Sequence, residues 1–335
     1  MDIDLRTTVA GFAGALVVLA GLLALVGIGR VTDALAGADL DVVPGIVAVA
    51  LCWLTAWGLS LRTVLSGLGS TISPPLAVLV FAAATFANNV TPFGQAGGEP
   101  VSALLISRAA ETEYEASLAA IASVDSLNFI PSIALATVGI GYISTTVAFG
   151  RRLQFATAAI VVLAVAVPVA GYVGWKHRYA VERRAIDAVT PLVRSLGKVL
   201  PRRSPPKKSV IKGRVEGFFH AVERVSGDRR RVALALGFST LGWLCLAGSL
   251  WLSLFSLGAT VPFTVVIVVV PVGAIAGITP LPGGLGGVEA VLIALLVALG
   301  VGAAAAAAAV IIHRTATYWL PTLIGGGAAA ALGAS

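Results

Sequence analysis

The stretch Thr279-Pro280-Leu281-Pro282-Gly283-Gly284-Leu285-Gly286-Gly287-Val288-Glu289 places prolines and glycines where an apolar run should continue as a membrane helix. A looser copy occurs earlier as Thr91-Pro92-Phe93-Gly94-Gln95-Ala96-Gly97-Gly98-Glu99. Each copy follows a long apolar run, ends in a glutamate and precedes a short apolar segment. Such paired interruptions in two halves of a chain are typical of membrane proteins that build a site from broken helices. The two copies therefore predict that the two halves of the chain form an internal inverted repeat.

The composition is that of a membrane protein. Mean hydropathy is +0.96 and 12% of the residues are charged, against about 25% in soluble domains. The charged residues between Val232 and Ser335 are Glu289 and Arg314 alone. This pattern predicts an all-α polytopic membrane protein.

Uncharged runs of about 20 residues give the number of spans. We predict about eight full transmembrane helices, at 9–29, 42–61, 73–90, 117–147, 153–175, 232–257, 261–278 and 303–325. The segments 97–108 and 287–300 are too short to span and are predicted to be re-entrant or half helices. The whole chain, 1–335, is expected to form a single transmembrane domain.

A basic loop at 176–231 sets the predicted orientation. It holds 16 of the 23 Lys and Arg residues but five acidic residues. A basic loop of this length is expected to stay in the cytoplasm, with the protein in the plasma membrane. Within it, apolar residues at helical spacing predict two amphipathic helices, at 189–200 and 211–225. They extend the flanking spans, lie on the inner leaflet in contact with anionic headgroups, or form a solvated connector. The basic residues flank spans and match no recognition motif, so nucleic acid is not expected as a partner.

The Gly/Pro motifs predict an anion-binding cavity. Pro92 and Pro282 should stop the incoming helices, and short helices are expected to start at Gly97–Glu99 and Gly286–Glu289. Their free N–H groups and positive dipole ends favour an anion, such as a lipid phosphate. Irregular backbone at membrane depth requires a protein or water lining.

The intramembrane charges have more than one interpretation each. Glu99 and Glu289 cap their own helices, contact a headgroup, or take part in proton coupling. Arg314 is expected to pair with Glu289, either structurally or while it contacts a lipid phosphate. Asp125 is either a helix-end carboxylate or a site residue. The candidate substrate-binding residues are Thr91, Pro92, Gly97, Gly98, Glu99, Asp125, Pro282, Gly283, Gly286, Gly287, Glu289 and Arg314.

No enzymatic motif is recognisable. The glycines at 283–287 are not followed by the Lys-Ser/Thr pair of a nucleotide loop, and no predicted strand precedes them. The histidines have no nucleophile–base partner in sequence and no metal-ligand spacing. We therefore assign no catalytic residue and expect no cofactor or metal.

At Pro280 to Glu289, this chain resembles the flippase-like membrane family that includes the transmembrane domain of lysylphosphatidylglycerol synthases. His313-Arg314, Trp319-Leu320-Pro321 and the first motif continue the resemblance, which covers nearly the whole chain. Members often carry an arginine three residues after the first glutamate, where this chain has Ser102. Many also carry one where Ser126 follows Asp125. Both departures put a strongly cationic site in doubt.

The resemblance implies a prokaryotic lipid translocase that moves a phospholipid or polyprenyl-linked glycolipid between leaflets, with membrane lipids, and anionic headgroups in particular, as partners. The sequence to Ser335 contains no soluble aminoacyl-transfer domain, so aminoacyl transfer is not implied. The alternative is a non-transporting membrane enzyme, or an accessory subunit of glycolipid, envelope or aminoacyl-phosphatidylglycerol assembly. A glycosyltransferase or an aminoacyl transferase is then the candidate protein partner. The lipid, the direction, the energy coupling and the oligomeric state stay open.

Overall fold

This computed structural model describes residues 5–91, 95–146, 208–279 and 281–334, with residues 173, 176, 177, 180 and 184. All regular elements within these ranges are helical, as the sequence predicts. The α-helices are α1 (Leu5–Val26), α2 (Ile28–Ala36), α3 (Val43–Gly67), α4 (Pro74–Val90), α5 (Gln95–Ala109), α6 (Tyr114–Thr146), α7 (Lys208–Gly227), α8 (Arg229–Ser256), α9 (Phe263–Ile275), α10 (Gly287–Ala298), α11 (Ala303–Arg314) and α12 (Leu320–Ala334).

Three of the described helices are long and apolar enough to cross a membrane by length and composition. They cover Leu40–Gly67, Tyr114–Tyr142 and Arg229–Ser256. The predicted span 9–29 is instead a bent pair, since α1 ends at Val26 and α2 leaves it at 86° after Gly27. The pair would bring the number of spans to four, so the eight-span count stays a prediction. The predicted span 153–175 lies outside the described residues.

Helices α3 and α8 form an antiparallel pair at the centre of the fold. The Ser60 hydroxyl donates to the Ala235 carbonyl at 3.3 Å, and the Trp57 indole donates to the Ser239 carbonyl at 3.2 Å. Gly67 lies beside Arg231 at one end of the pair. At the other end, the Asp39 amide donates to the Ser256 carbonyl at 2.7 Å. These contacts define an Arg231 end and a Ser256 end of the protein.

Helices α4 and α5 form a re-entrant hairpin, the first hairpin, at the Arg231 end. Its two ends lie together, because the hydroxyl of Ser70, just before α4, donates to the Ala110 carbonyl, just after α5, at 2.8 Å. The Ile72 carbonyl also accepts from Arg62 Nε of α3 at 2.8 Å. The predicted span 73–90 is the 17-residue first limb of this hairpin.

Helices α9 and α10 form the second hairpin, which enters from the Ser256 end. The Trp251 indole of α8 donates to the carbonyl of Val261, just before α9, at 3.0 Å. Leu299 and Val301, just after α10, pack into the same apolar cluster as Val261. Between the limbs, 3-10 turns cover Ala276–Ile278 and Pro282–Gly284. The predicted span 261–278 is therefore also a hairpin limb.

Helices α11 and α12 are joined by a π-helical segment, Thr315–Trp319. Together they extend the predicted span 303–325 to Ala334. The alanines 306–309 are fully buried, since their small side chains allow close approach of neighbouring helices. The π segment lies next to Arg314, where π-bulges often mark a functional site.

The second predicted amphipathic helix of the basic loop is α7. Its apolar face packs onto the cluster that α3, α4 and α6 share, through Phe218, Ala221, Val222 and Val225. Its other face is charged, with Arg214 Nε 3.3 Å from Glu115 of α6. The first predicted helix, 189–200, lies outside the described residues.

Candidate functional site

The tips of the two hairpins meet inside the protein. The Tyr318 hydroxyl donates to the Asn89 carbonyl, at the tip of the first hairpin, at 2.9 Å. The same hydroxyl lies 3.5 Å from the Pro282 carbonyl, at the tip of the second. A side chain at Gly283 would meet both Asn89 and the Tyr318 ring. The two motifs that the sequence repeats are therefore neighbours in space.

The predicted pair of intramembrane charges forms at the second tip. Arg314 Nε donates to Glu289 Oε1 at 2.6 Å, with 15% and 4% of the two side chains exposed. Arg314 Nη2 also donates to the Gly283 carbonyl at 3.3 Å. The guanidinium carbon lies 4.6 Å from the centre of the Tyr318 ring. Arg314 thus links the second tip to α11, the helix on which Arg314 lies.

Glu289 caps its own helix, which was one of the interpretations that the sequence left open. Its Oε2 accepts a hydrogen bond from the Gly286 amide at 2.5 Å, and Gly286 has φ +84°, a conformation that favours glycine. The positive N-terminal end of α10 therefore faces a carboxylate of its own helix, and Arg314 neutralises that carboxylate. In the described structure, the Glu289 carboxylate itself occupies the anion site that was expected at this helix start.

The first tip differs from the second. Helix α5 begins at Gln95, so the predicted helix start at Gly97–Glu99 is wrong and Glu99 is the fifth helical residue. The first turn of α5 contains no acidic residue. At the end of α4, buried Thr91 folds its hydroxyl back onto the Ala87 carbonyl at 2.7 Å. Pro92 lies outside the described residues.

The glycines of the first tip allow two helices to touch. A Cβ at buried Gly98 would collide with Asn88 of α4, whose Cα would lie 2.6 Å away and whose N would lie 2.7 Å away. Gly97 is half-buried. At the second tip, a Cβ at Gly287 would lie 2.9 Å from Thr279 Cγ2. The space at Gly98 and Gly287 is therefore filled by the protein, whereas the sequence suggested a close approach to a ligand.

Asp125 belongs with the first tip. Its carboxyl group lies close enough to that of Glu99 for the two charges to repel each other, and its Oδ2 is buried without a hydrogen-bond partner among the described residues. Asn128, one turn further along α6, faces α8 instead, where it accepts from the Ser239 hydroxyl at 2.5 Å. The polar cluster of α6 is thus divided between two neighbours.

Three polar residues at the tips were not selected from the sequence, namely Asn88, Asn89 and Thr322. The Asn89 side-chain amide donates to the Thr322 hydroxyl at 2.8 Å, which ties α4 to α12. The Asn88 Oδ1 atom is buried and has no partner in the described part of the chain. An Asn-Asn pair at the end of an apolar run, directly before Thr91-Pro92, was the available signal.

Comparison with known proteins gives a family. The sequence matches the family model described as the lysylphosphatidylglycerol synthase TM region over residues 9–325. It is 28% identical over 334 residues to a UPF0104 membrane protein of Methanothermobacter thermautotrophicus, covering 96% of this chain and 92% of the relative. It is 26% identical over 282 residues to a UPF0104 membrane protein of Pyrococcus horikoshii, covering 82% and 81%. The chain belongs to the lysylphosphatidylglycerol synthase TM region family and is embedded in a membrane.

Proposed function

We propose that this member of the family moves a phospholipid or a polyprenyl-linked glycolipid between the leaflets of the plasma membrane, by way of the contact between the two hairpin tips. The observation that carries the proposal is the Tyr318 hydroxyl, which touches a backbone carbonyl of each hairpin. The hairpins enter from opposite ends, so at their meeting point a polar region is reached from both ends of the protein.

The chemistry of the tips supports a passage for a polar group. Non-helical backbone inside a bilayer is tolerated only where protein or water surrounds it, and both tips contain such backbone next to polar side chains. Two polar atoms of the tips, Asn88 Oδ1 and Thr279 Oγ1, are buried without a hydrogen-bond partner among the described residues. A headgroup with hydroxyl donors would satisfy acceptors of this kind.

Arg314 is the group that we propose contacts the lipid phosphate. Its Nε and Nη2 are bonded within the protein, and 15% of its side chain is exposed. A planar guanidinium has five N–H donors, so the two bonds leave capacity for a phosphate oxygen. Glu289 neutralises the charge of Arg314 in this structure. An anionic headgroup would therefore bind Arg314 with modest affinity, which allows its release into the opposite leaflet.

Transport requires the tips to separate. In the described structure Tyr318 bonds Asn89 directly, and the Asn89 side chain bonds Thr322. A headgroup between the hairpins would have to break these contacts. We therefore take this structure as the closed state of the proposed passage, with the basic loop on the cytoplasmic side.

The test is leaflet-resolved transport in reconstituted vesicles. The purified protein is placed in liposomes with fluorescent phosphatidylglycerol or a fluorescent polyprenyl phosphate, without ATP, and dithionite quenches the outer leaflet only. We expect faster loss of the protected signal than in protein-free vesicles. The double change Glu289→Gln with Arg314→Gln should slow it, whereas Arg214→Gln at the exposed α7 pair should not. No movement of either lipid above the protein-free rate would refute transport and favour the accessory role.

A further inference from the structure

Two carboxylates lie at the same depth inside the first hairpin and its neighbour α6. Glu99 is ten residues from the end of α5 at Ala109, which is about 15 Å along a helix. Asp125 is eleven residues from the start of α6 at Tyr114, or about 17 Å. Helix α5 ends and helix α6 begins at the same loop. Measured from that loop, both carboxyl groups therefore lie about halfway through a hydrocarbon core of about 30 Å.

These carboxyl groups have no compensating charge in the described structure. Asp125 Oδ2 is buried without a hydrogen-bond partner there, and no hydrogen bond or ion pair of Glu99 occurs among the described residues. Another acceptor lies nearby. The Oδ1 atom of Asn88 is buried and receives no hydrogen bond from the described residues. It points at Gly98, the residue before Glu99. A buried carboxyl oxygen without a donor in the described part of the chain, next to a second carboxyl group without a partner there, favours a bound proton at this place.

Among the described residues, the elements that neighbour the pair supply no cation to it. Helices α4, α9 and α12 contain no charged residue. On α3, Arg62 bonds the Ile72 carbonyl at the Arg231 end. On α7, Arg214 pairs with Glu115.

The remaining bases near these helices also lie at the Arg231 end. Arg231 of α8 lies 3.0 Å from Asp228 Oδ2, and Arg108 is in the last turn of α5. In the described part of the chain, the one charge that acts on Asp125 is that of Glu99.

We propose that Glu99 and Asp125 form a proton-binding site, in which the two carboxyl groups together hold one exchangeable proton. Two like charges in a region of low polarity cannot both ionise without a large free-energy cost. A single proton on the buried Asp125 carboxyl group removes one of these charges, so the pair carries one negative charge rather than two.

This site would give the proposed transporter an energy source, and that role rests on the proposed function. The first tip adjoins the pair through Gly98 and Asn88. Separation of the tips would admit water to the carboxyl groups, and the proton could then leave on the side to which the passage opens. Closing would strip the water and favour proton binding again. The proton is bound and released unchanged, so the cycle needs no oxidant, reductant or covalent step.

The first arm of the test measures the proton itself and does not depend on transport. Infrared difference spectra of the purified protein should contain a protonated carboxyl band at neutral pH that disappears at alkaline pH. Glu99→Gln should shift its loss to lower pH, because Asp125 then has no like charge beside it. The double change Glu99→Gln with Asp125→Asn should abolish the band, while Glu115→Gln should leave it unchanged. Absence of the band from the native protein overturns the proposal, as does its removal by sodium chloride at constant pH.

The second arm uses the vesicle assay. A pH gradient across the membrane should change the rate of fluorescent phosphatidylglycerol movement several-fold in the native protein and not in the double variant. Unequal rates that persist in the double variant would overturn the coupling. If the native protein moves no lipid at all, the transport proposal fails while the first arm still decides the proton site.

Discussion

The Tyr318 hydroxyl donates a hydrogen bond to the Asn89 carbonyl at 2.9 Å, although the two residues are 229 positions apart in the chain. Helix α4 ends at Val90, so its last carbonyls lack intrahelical donors. Inside a membrane such a carbonyl needs a partner from elsewhere in the protein. Tyr318 supplies it, and thereby joins the last helix to the tip of the first hairpin.

Removal of this donor should destabilise the protein. Tyr318→Phe keeps the ring against Arg314 but leaves a buried carbonyl without its partner, at a cost of about 1–3 kcal/mol. Thermal unfolding in detergent should show a lower midpoint. Tyr114→Phe, which removes a longer and solvent-exposed bond of 3.4 Å to the Pro100 carbonyl, is the matched control and should lower the midpoint less. Equal midpoints for the two variants would argue against a structural role for the hydroxyl.

The Glu289–Arg314 pair should behave as one unit. Loss of one partner of a buried ion pair leaves an uncompensated charge, at a cost of about 3–5 kcal/mol. Glu289→Gln should therefore reduce the folded yield more than the double change Glu289→Gln with Arg314→Gln. Fluorescence-detected size-exclusion chromatography of the single and double variants measures this directly. Strictly additive losses would contradict the 2.6 Å contact between the two side chains.

The sequence predicted this pair because Glu289 and Arg314 are the only formally charged residues after Arg231. It also predicted a break in each half of the chain, since proline and glycine have direct backbone consequences. Pro282 does not stop the incoming helix as predicted, because α9 ends at Ile275 and already contains Pro271, and Pro92 lies outside the described residues. The start of α5 was missed because Gln95 and Ala96 suit a helix as well as a turn. The Asn89–Tyr318 contact was missed because a neutral polar residue in an apolar run has many possible neighbours.

Gly98 should tolerate no larger side chain. Gly98→Val would push against the backbone of Asn88. Overpacking usually lowers the free energy of unfolding by about 1–3 kcal/mol, and we expect a loss of at least that size here. The folded yield should fall sharply. Gly237→Val on α8, where a Cβ meets nothing within 4 Å, is the control and should remain near native. A well-folded Gly98→Val protein that has lost only transport would restore the idea that a ligand approaches this glycine.

The orientation can be tested with single cysteines in a background in which Cys52 and Cys245 are alanine. A cysteine at Ser204, within the basic loop and outside the described residues, should react with an impermeant maleimide only from the cytoplasmic side. Ser226→Cys on α7 should behave in the same way. Asp41→Cys, near the Ser256 end, should react from the outside of sealed cells. Labelling of Ser204→Cys or Ser226→Cys from outside would overturn the topology.

We propose that lipid passes only when the hairpin tips separate. The side chains of Asn89 and Thr322 are in hydrogen-bond contact at 2.8 Å, so cysteines at both positions, in the same cysteine-free background, can be joined by a short bis-methanethiosulfonate, whose disulfides are cleaved by reduction. The decisive measurement is phosphatidylglycerol movement in vesicles before cross-linking, after it, and after reduction. We expect movement, arrest and recovery. Undiminished movement in fully cross-linked protein would contradict passage between the tips.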